Sequence, residues 1–277
     1  MKKLVLLVLT LCTSLQLVFA QSEFPQKPVR VIVPFPPGCA VDTLARALSA
    51  PLNRALGQSI VIDSRPGANT VIGTEAAVRA PADGYTLQIG TSTTNMLVGG
   101  LYALQFDLVS DLAPILQIAS EPLMIVGRKS LDAKDLKELV AIIKSQASPP
   151  HYASAGSGSL QHLVTEHFKV ITGTRMVHVP YKGGGPMAAA VVANEAQWLI
   201  APAASVAGQI KGGRLRALGI TSKRRSPLMP EVPTIDEAGV PGYEYTTWNA
   251  MFAPRRTPRE IVVRLHGVLQ KVLAEPE

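Results

Sequence analysis

Hydrophobic and polar positions change period again and again along this chain. Val29-Arg30-Val31-Ile32-Val33 is a β-branched run closed by Pro34, which predicts a strand. After Pro36-Pro37-Gly38, the residues Val41, Leu44, Ala45, Leu48, Leu52, Ala55 and Leu56 fall at helical spacing, with Gly57 as the stop. A second strand is predicted over residues 59–62, closed by Arg65-Pro66-Gly67, then a short helix over 72–80. Pro81-Ala82-Asp83-Gly84 is turn chemistry, residues 85–89 a third strand, and Gly90-Thr91-Ser92-Thr93-Thr94 leads into another short helix. Strand, tight turn and helix in this order predict a parallel sheet covered by helices.

A second unit of the same kind starts near Pro122. Residues 123–126 predict a strand. Leu136, Leu139, Val140 and Ile143 mark an amphipathic helix, with Asp132 as its N-cap. Strands are predicted at 152–154, 176–179, 197–200, 215–220 and 246–252. A helix over 160–171 ends at Gly173, and Pro186 suits the first turn of another. Thr257-Pro258-Arg259-Glu260 has the form of a capping box opening a last helix over Ile261, Leu265, Val268, Leu269 and Val272. The expected organisation is a first lobe at 24–121, completed by 243–277, and a second lobe at 122–242.

Residues 1–20 stand apart. Lys2 and Lys3 precede an apolar run, and Val18-Phe19-Ala20 fits the small-x-small cleavage rule, so export with a mature start at Gln21 is expected. The run is too short and too broken by Thr and Ser to make a comfortable membrane span. Of the 277 residues, 47% are hydrophobic and 17% charged, which supports packed cores and argues against disorder. The net charge is +7, and Lys2 and Lys3 supply two of those charges, so the remaining balance is mild. Together with 5% aromatic residues, this gives no stacking platform, and no nucleic-acid partner is expected. Cys12 falls in the export segment, which leaves Cys39 alone and no intrachain disulfide.

The candidate chemistry lies in the strand-to-helix turns at 36–40, 91–94, 154–159 and 181–185. Turns after parallel strands share one edge of a sheet, and helix N-termini there favour anions. Two such turns from each half would clamp a small carboxylate or other anion. Stricter motifs fail. Gly183-Gly184-Gly185-Pro186 lacks the Lys-Ser/Thr of a phosphate loop, Gly156 and Gly158 lack a third dinucleotide glycine, and the stretch is no nucleophile elbow. His151, His162, His167, His178 and His266 show no metal spacing, so no metal and no cofactor are expected. Tyr181 and Lys182 offer two side-chain donors to an anion. At the start of the first helix, Cys39 is expected to line the cleft with a lowered pKa.

These residues carry a family resemblance. Lys27-Pro28-Val29-Arg30, Val33-Pro34-Phe35-Pro36-Pro37-Gly38, Arg65-Pro66-Gly67-Ala68 and Asp83-Gly84-Tyr85-Thr86-Leu87 occur in order. Tyr152-Ala153-Ser154-Ala155-Gly156, His178-Val179-Pro180-Tyr181-Lys182-Gly183, Leu215-Arg216-Ala217-Leu218, Val232-Pro233-Thr234 and Glu237-Ala238-Gly239 follow. Over residues 24–277 the chain resembles Bug-type solute-binding receptors of tripartite tricarboxylate transporter systems. The resemblance implies an α/β, type II periplasmic binding-protein fold of Venus-flytrap form. It implies a small organic carboxylate between the lobes, membrane transporter subunits as partners and a monomeric state. Carried onto this sequence, it makes Phe35, Pro37, Gly38, Cys39, Ala40, Asp42, Thr91, Ser92, Asn95, Ser154, Gly156, Ser157, Tyr181, Lys182, Gly183 and Ala201 the ligand-binding set.

Three departures from the family pattern follow. Cys39 and Ala40 stand where two glycines are usual, which narrows the first turn. Ile200-Ala201-Pro202 replaces a polar segment with an apolar wall. The family usually continues beyond the position of Glu277, so a truncated form of low stability, or one that self-associates through uncovered apolar surface, is expected. The leading function is a receptor delivering a carboxylate to a transporter. The alternatives are a sensor subunit for a signalling partner and a truncated non-functional member. A periplasmic hydrolase or lyase with Ser157 or Cys39 as nucleophile lacks a paired base in the sequence, so no catalytic residue is assigned.

Overall fold

The computed structural model of the protein describes residues 24–275. The expected export segment 1–20 and anything after Glu277 lie outside the described residues. The chain begins with β1 (Val29–Val33), α1 (Ala40–Leu56), β2 (Ile60–Ser64), α2 (Val71–Val78) and β3 (Thr86–Thr91). β1 pairs in parallel with both β2 and β3. The stripe Ala45, Leu48, Leu52 and Leu56 of α1 buries against Val29, Val31 and Val33 of β1. Gly57 ends α1 at φ 68, a left-handed cap that a glycine adopts without steric cost.

β4 (Leu112–Arg128) follows and differs from the expected four-residue strand at 123–126. It runs for 17 residues and serves both halves of the molecule. Its first part, Leu112 to Pro122, pairs antiparallel with β9 (Thr246–Pro254), which in turn pairs antiparallel with β3. From Leu123 onward it pairs antiparallel with β7 (Trp198–Pro202) and β8 (Leu215–Ile220). The stretch 112–122 is broken by Pro114 and Pro122 and shows no clean alternation of apolar and polar residues, which hid the strand. The expected parallel pairing holds among β1–β3 and among the second lobe's β5, β6 and β7, and the sheet becomes mixed where β4, β8 and β9 run against their neighbours.

The second lobe contains α3 (Leu136–Ser145), β5 (His151–Ser154), α4 (Leu160–Thr172), β6 (Val177–Pro180), α5 (Gly184–Val192), β7, α6 (Ala203–Lys211) and β8. β5 pairs in parallel with β6 and β7. Its core is aromatic: Phe168 packs 5.8 Å from Trp198 and 5.7 Å from Tyr243, and Tyr152 lies 5.9 Å from Trp198. The first lobe is built instead on aliphatic residues of β1, β3, α1 and α7 (Arg259–Ala274), including Leu265, Leu269 and Val272.

Two helix starts differ from expectation. Asp135, not Asp132, caps α3, its Oδ1 accepting from the Glu138 amide at 2.9 Å. The box at Thr257 does not form. The Ile261 and Val262 amides donate to the Pro258 carbonyl, so the helix starts one residue later, and Thr257 Oγ1 is buried without a partner.

The chain passes between the lobes twice, within β4 and between β8 and β9. Thr221 ties the two passages together. Its buried hydroxyl accepts from the Leu123 amide at 2.8 Å and donates to the Tyr245 carbonyl at 2.6 Å. The Tyr245 amide donates to the Thr221 carbonyl at 3.0 Å.

Candidate functional site

The turns that follow the parallel strands of the two lobes meet. Across the gap, the Leu160 amide at the start of α4 donates to Thr93 Oγ1 at 3.3 Å. Gly158 lies against Leu101 and Asn69 of the first lobe, so closely that a side chain at 158 would collide with Leu101. Residues from both expected halves of the site therefore share one edge.

The first turn is braced from within. Asp42, only 2% exposed, accepts from the Gly38 amide at 2.9 Å, from Arg46 Nε at 2.8 Å and from Ser64 Oγ at 3.2 Å. The Arg46 hydrogen bond foremost holds its carboxyl below the usual range. A carboxylate so committed positions the turn rather than meeting an anion. Cys39 caps α1, its Sγ accepting from the Asp42 amide at 3.4 Å. Burial pushes its thiol up, and nearby Asp42 adds to this, which corrects the expectation of a lowered pKa. Desolvation outweighs the helix N-terminus here. Pro37, Gly38 and Ala40 are exposed at the turn, while Phe35 packs against the first-lobe core.

After β3, Thr91 Oγ1 accepts from the Thr94 amide at 3.2 Å and pairs with Thr94 Oγ1 at 3.0 Å. Ser92 Oγ pairs with Thr247 Oγ1 at 3.0 Å, fixing this segment to β9. A single π turn follows over Thr93–Leu97. Asn95, 7% exposed, lies over Gly90, where only the missing side chain leaves room for its amide. Both its Oδ1 and its Nδ2 lack partners.

In the second lobe, buried Ser154 Oγ pairs with His178 Nε2 at 2.5 Å and with the Gly156 backbone at 3.1 Å. Ser159 Oγ donates to the Gly156 carbonyl at 2.7 Å, and the Gly158 amide donates to His162 Nδ1 at 3.0 Å. The His162 and His178 rings stack at 3.9 Å, above Tyr152. The Tyr152 hydroxyl donates to Glu166, which Lys169 holds at 2.7 Å. Burial, then the neighbouring His162, pushes His178 down to about 4. Burial also pushes His162 down. The Ser154–His178 pair has no exposed hydroxyl to attack with, since Ser154 is fully buried and committed to its turn. Ser157 is exposed at the loop tip.

The remaining expected residues lie around α5 and β7. The Tyr181 hydroxyl donates to Glu195 at 3.1 Å, beyond the end of α5. Lys182 is exposed. Gly183, at φ 99, caps α5 without a side-chain hydrogen bond, so this helix start is not closed by a side chain of its own. Ala201 is fully buried in an apolar cluster with Met124, Met187 and Leu199, which makes it a wall behind the edge rather than a contact.

Sequence reasoning missed the segment after Arg65-Pro66-Gly67. Ala68, Asn69 and Thr70 are all left-handed, at φ 44, 50 and 80. At Ala68 and Thr70 this costs about 1–2 kcal/mol each, whereas asparagine tolerates it better. Asn69 Nδ2 and Thr70 Oγ1 are buried without partners, and Thr70 is 4% exposed. The only available signal was the Gly67 turn, which says nothing of the residues after it. Thr221 was missed as well, for it sits in no motif.

Two concavities, of about 280 and 360 Å³, are walled entirely by second-lobe residues, among them Lys129 and Arg216 in one and Leu136 and Lys144 in the other. They lie away from the facing turns, where the chemistry is concentrated. Among the described residues no cluster of metal-ligating side chains occurs, and no helix is long and apolar enough to cross a membrane. The facing turns offer backbone amides, hydroxyls and carboxamides, a neutral set suited to a small polar ligand.

Two α/β lobes joined by two passages, with polar turns facing one another, define a protein of the periplasmic binding-protein class. Residues 44–277 match the family model described as "Tripartite tricarboxylate transporter family receptor", and the chain belongs to that family. It is 36% identical over 252 residues to "Protein BugT" of Bordetella pertussis, covering 90% of this chain and 77% of that one. It is 35% identical over 257 residues to a protein of Pseudomonas sp. strain P51 described as "UPF0065 protein in tcbD-tcbE intergenic region", covering 92% of this chain and 76% of the other.

Among solved structures, "R. palustris Rpa4515 with adipate" superposes with a TM-score of 0.85 at 35% identity, covering 91% of this chain and 83% of that one. "MatC (Rpa3494) from Rhodopseudomonas palustris with bound malate" gives 0.84 at 30%, covering 91% and 85%. "Structure of periplasmic binding protein BugD" gives 0.82 at 30%, covering 91% and 85%. The family is one of solute-binding receptors rather than enzymes.

Proposed function

We propose that this protein is a periplasmic receptor that captures a small organic carboxylate between its lobes and presents it to the membrane subunits of a tripartite tricarboxylate-type transporter. The observation that carries the reading is the Leu160–Thr93 hydrogen bond between the lobes, set beside unpartnered Asn69, Thr70 and Asn95. Such a place holds a polar ligand and closes around it. The likeness to receptors with adipate and with malate supports a short aliphatic dicarboxylate. The backbone amides at Gly183 and at the start of α5 serve its anionic end. Phe35 and Ala201 are supporting walls, and Asp42 and Ser154 hold turns. The lobes divide at Pro122–Leu123 and near Tyr245, residues 1–20 direct export, and no catalytic step is assigned.

A thermal-shift and calorimetry screen of the chain from Gln21 onward against a carboxylate library tests this. A ligand at about 100 times its Kd stabilises the folded state by about 2.7 kcal/mol. No shift with any carboxylate, from a cooperatively folded sample, overturns the reading. N-terminal sequencing of the periplasmic fraction tests the cleavage.

A further inference from the structure

Segments 68–70 and 93–97 pack against each other at the edge of the first lobe. Together they carry three polar side chains with buried atoms that lack a partner, Asn69 at Nδ2, Asn95 at both amide atoms and Thr70 at its hydroxyl. Thr70 and Asn95 are 4% and 7% exposed, so water does not freely serve them. Buried polar groups in folded proteins are almost always paired, so a group of orphans at a ligand edge marks where ligand atoms belong. The neighbouring hydroxyls do not share this state: Thr91, Thr94, Ser92 and Thr93 all have protein partners.

The chemistry of the three is distinctive. Each carboxamide offers a donor and an acceptor, whichever way it is turned, and the threonine hydroxyl offers both. None carries charge. A carboxylate only accepts, so it would satisfy the donors and leave the amide oxygens facing negative charge. A hydroxyl both donates and accepts, so it can serve an amide oxygen and a donor of the set at once. Asn69 is also placed to see the ligand from the closing side, because its Nδ2 lies beside Gly158 of the second lobe. The strained left-handed backbone at Ala68, Asn69 and Thr70 delivers these two side chains there.

We propose that Asn69, Thr70 and Asn95 form a neutral subsite that reads a hydroxyl group on the bound acid, so the receptor prefers hydroxy-substituted carboxylates to their unsubstituted parents. This rests on the carboxylate-receptor reading and names its ligand class. In the closed state the ligand hydroxyl donates to an Asn95 oxygen and accepts from the Asn69 amide or the Thr70 hydroxyl.

Calorimetry with matched pairs tests it: malate against succinate, citrate against tricarballylate, 3-hydroxyadipate against adipate. At least one hydroxylated acid is expected to bind about tenfold or more tighter than its parent, since a site built to hydrogen-bond a hydroxyl penalises the ligand lacking it. Asn69→Gly removes the amide at a position whose backbone glycine adopts freely, and Thr70→Ala removes the hydroxyl. Both are expected to reduce the preference to roughly twofold, whereas Thr70→Ser keeps the preference. Parent and hydroxylated acids binding equally in every pair overturns the subsite and leaves the carboxylate receptor standing. A preference unchanged in both Asn69→Gly and Thr70→Ala also overturns it. Absence of binding by any acid fails the receptor reading itself, and this proposal with it.

Discussion

In the second lobe the left-handed positions beside the cleft are glycines, Gly156 at φ 128, Gly158 at 77 and Gly183 at 99, and the polar side chains around them are paired. The first lobe has left-handed glycines too, at Gly38 and Gly67, but it adds three left-handed positions that are not glycine, Ala68, Asn69 and Thr70, where Asn69 Nδ2 and Thr70 Oγ1 have no partner. One wall is relaxed and complete without a ligand. The other keeps strain and unsatisfied hydrogen bonds at a few residues. Strain held at so few positions persists only where the surroundings over-determine it, and it collects at functional sites. On the proposed reading, the first lobe is the reading wall and the second the closing wall.

The largest effect is expected from breaking the closing wall. Gly158→Ala adds a left-handed penalty of about 1–2 kcal/mol and a collision with Leu101 of about 1–3 kcal/mol in the closed form. The collision alone bears on closure, so affinity for a carboxylate that stabilises the wild-type chain should fall by about 5- to 150-fold by calorimetry. Gly57→Ala is the matched control. Gly57 has a similar φ of 68 but open space around it, so that variant should lose stability and keep affinity. Equal affinity losses in the two variants would show that the lobes do not close at Gly158.

The passages between the walls come next. In Thr221→Val the shape is kept, but the Leu123 amide and the Tyr245 carbonyl lose their buried partner. A cost of about 1–3 kcal/mol is expected in urea unfolding. Ligand closure should become less cooperative, with the loss of affinity spread over all ligands rather than favouring hydroxylated ones.

Much of this architecture was legible in the sequence because its causes are local. The β-branched run at Val29–Val33, the stripe from Ala45 to Leu56 and the stop at Gly57 each report their own environment. β4 was legible only where it is buried on both sides, past Leu123. Its earlier half pairs with β9, some 130 residues away in sequence, and nothing local announces such pairing. The site divided likewise. The turns at Gly38, Gly156 and Gly183 were visible because glycine marks a left-handed position. Asn69 and Thr70 occupy such positions without being glycine, so composition hides them. Asp42 and Cys39 were assigned to the ligand because they sit in the right turn. Which way a side chain faces, and whether burial outweighs a helix N-terminus, depends on tertiary packing.

Acid should separate the two walls. His178 faces Ser154 and Tyr152 of β5 and His162, Glu166 and Lys169 of α4, and its pKa is held down to about 4. The unfolded value lies near 6.5, so the unfolded chain binds the proton first as pH falls. The contribution is full above about pH 6.5, is lost on the way down to about 4 and then levels off. A loss of about 1–2 kcal/mol is expected, the upper limit being reduced by solvent reaching the half-buried ring. His162 acts in the same direction, since protonating Nδ1 also removes the acceptor for the Gly158 amide. Asp42 in the first lobe behaves oppositely in cause: its carboxyl is depressed, so its contribution persists until pH falls below about 3.8. Hydrogen exchange at pH 5 should therefore show the 154–162 loop loosened while the 36–42 turn stays protected. Simultaneous loosening of both would remove the distinction.

The smallest effect is a gain. Thr70 is β-branched and sits at φ 80, where the left-handed penalty is about 1–2 kcal/mol. Thr70→Gly relieves it, at an entropic cost of about 0.5–1 kcal/mol in the unfolded chain. The net expectation is a stabilisation of roughly 0.5–1 kcal/mol, or about 1–4 °C in melting temperature for a chain of this size. The same change deletes the hydroxyl that the proposed subsite relies on, so it should erase selectivity between hydroxylated and plain acids. A residue that lowers stability and raises selectivity is what a stability–function trade-off predicts for a site. If Thr70→Gly is less stable than the wild type, the strain at 68–70 is already relieved by neighbours. The contrast between the two walls then rests on the unpaired hydrogen bonds alone.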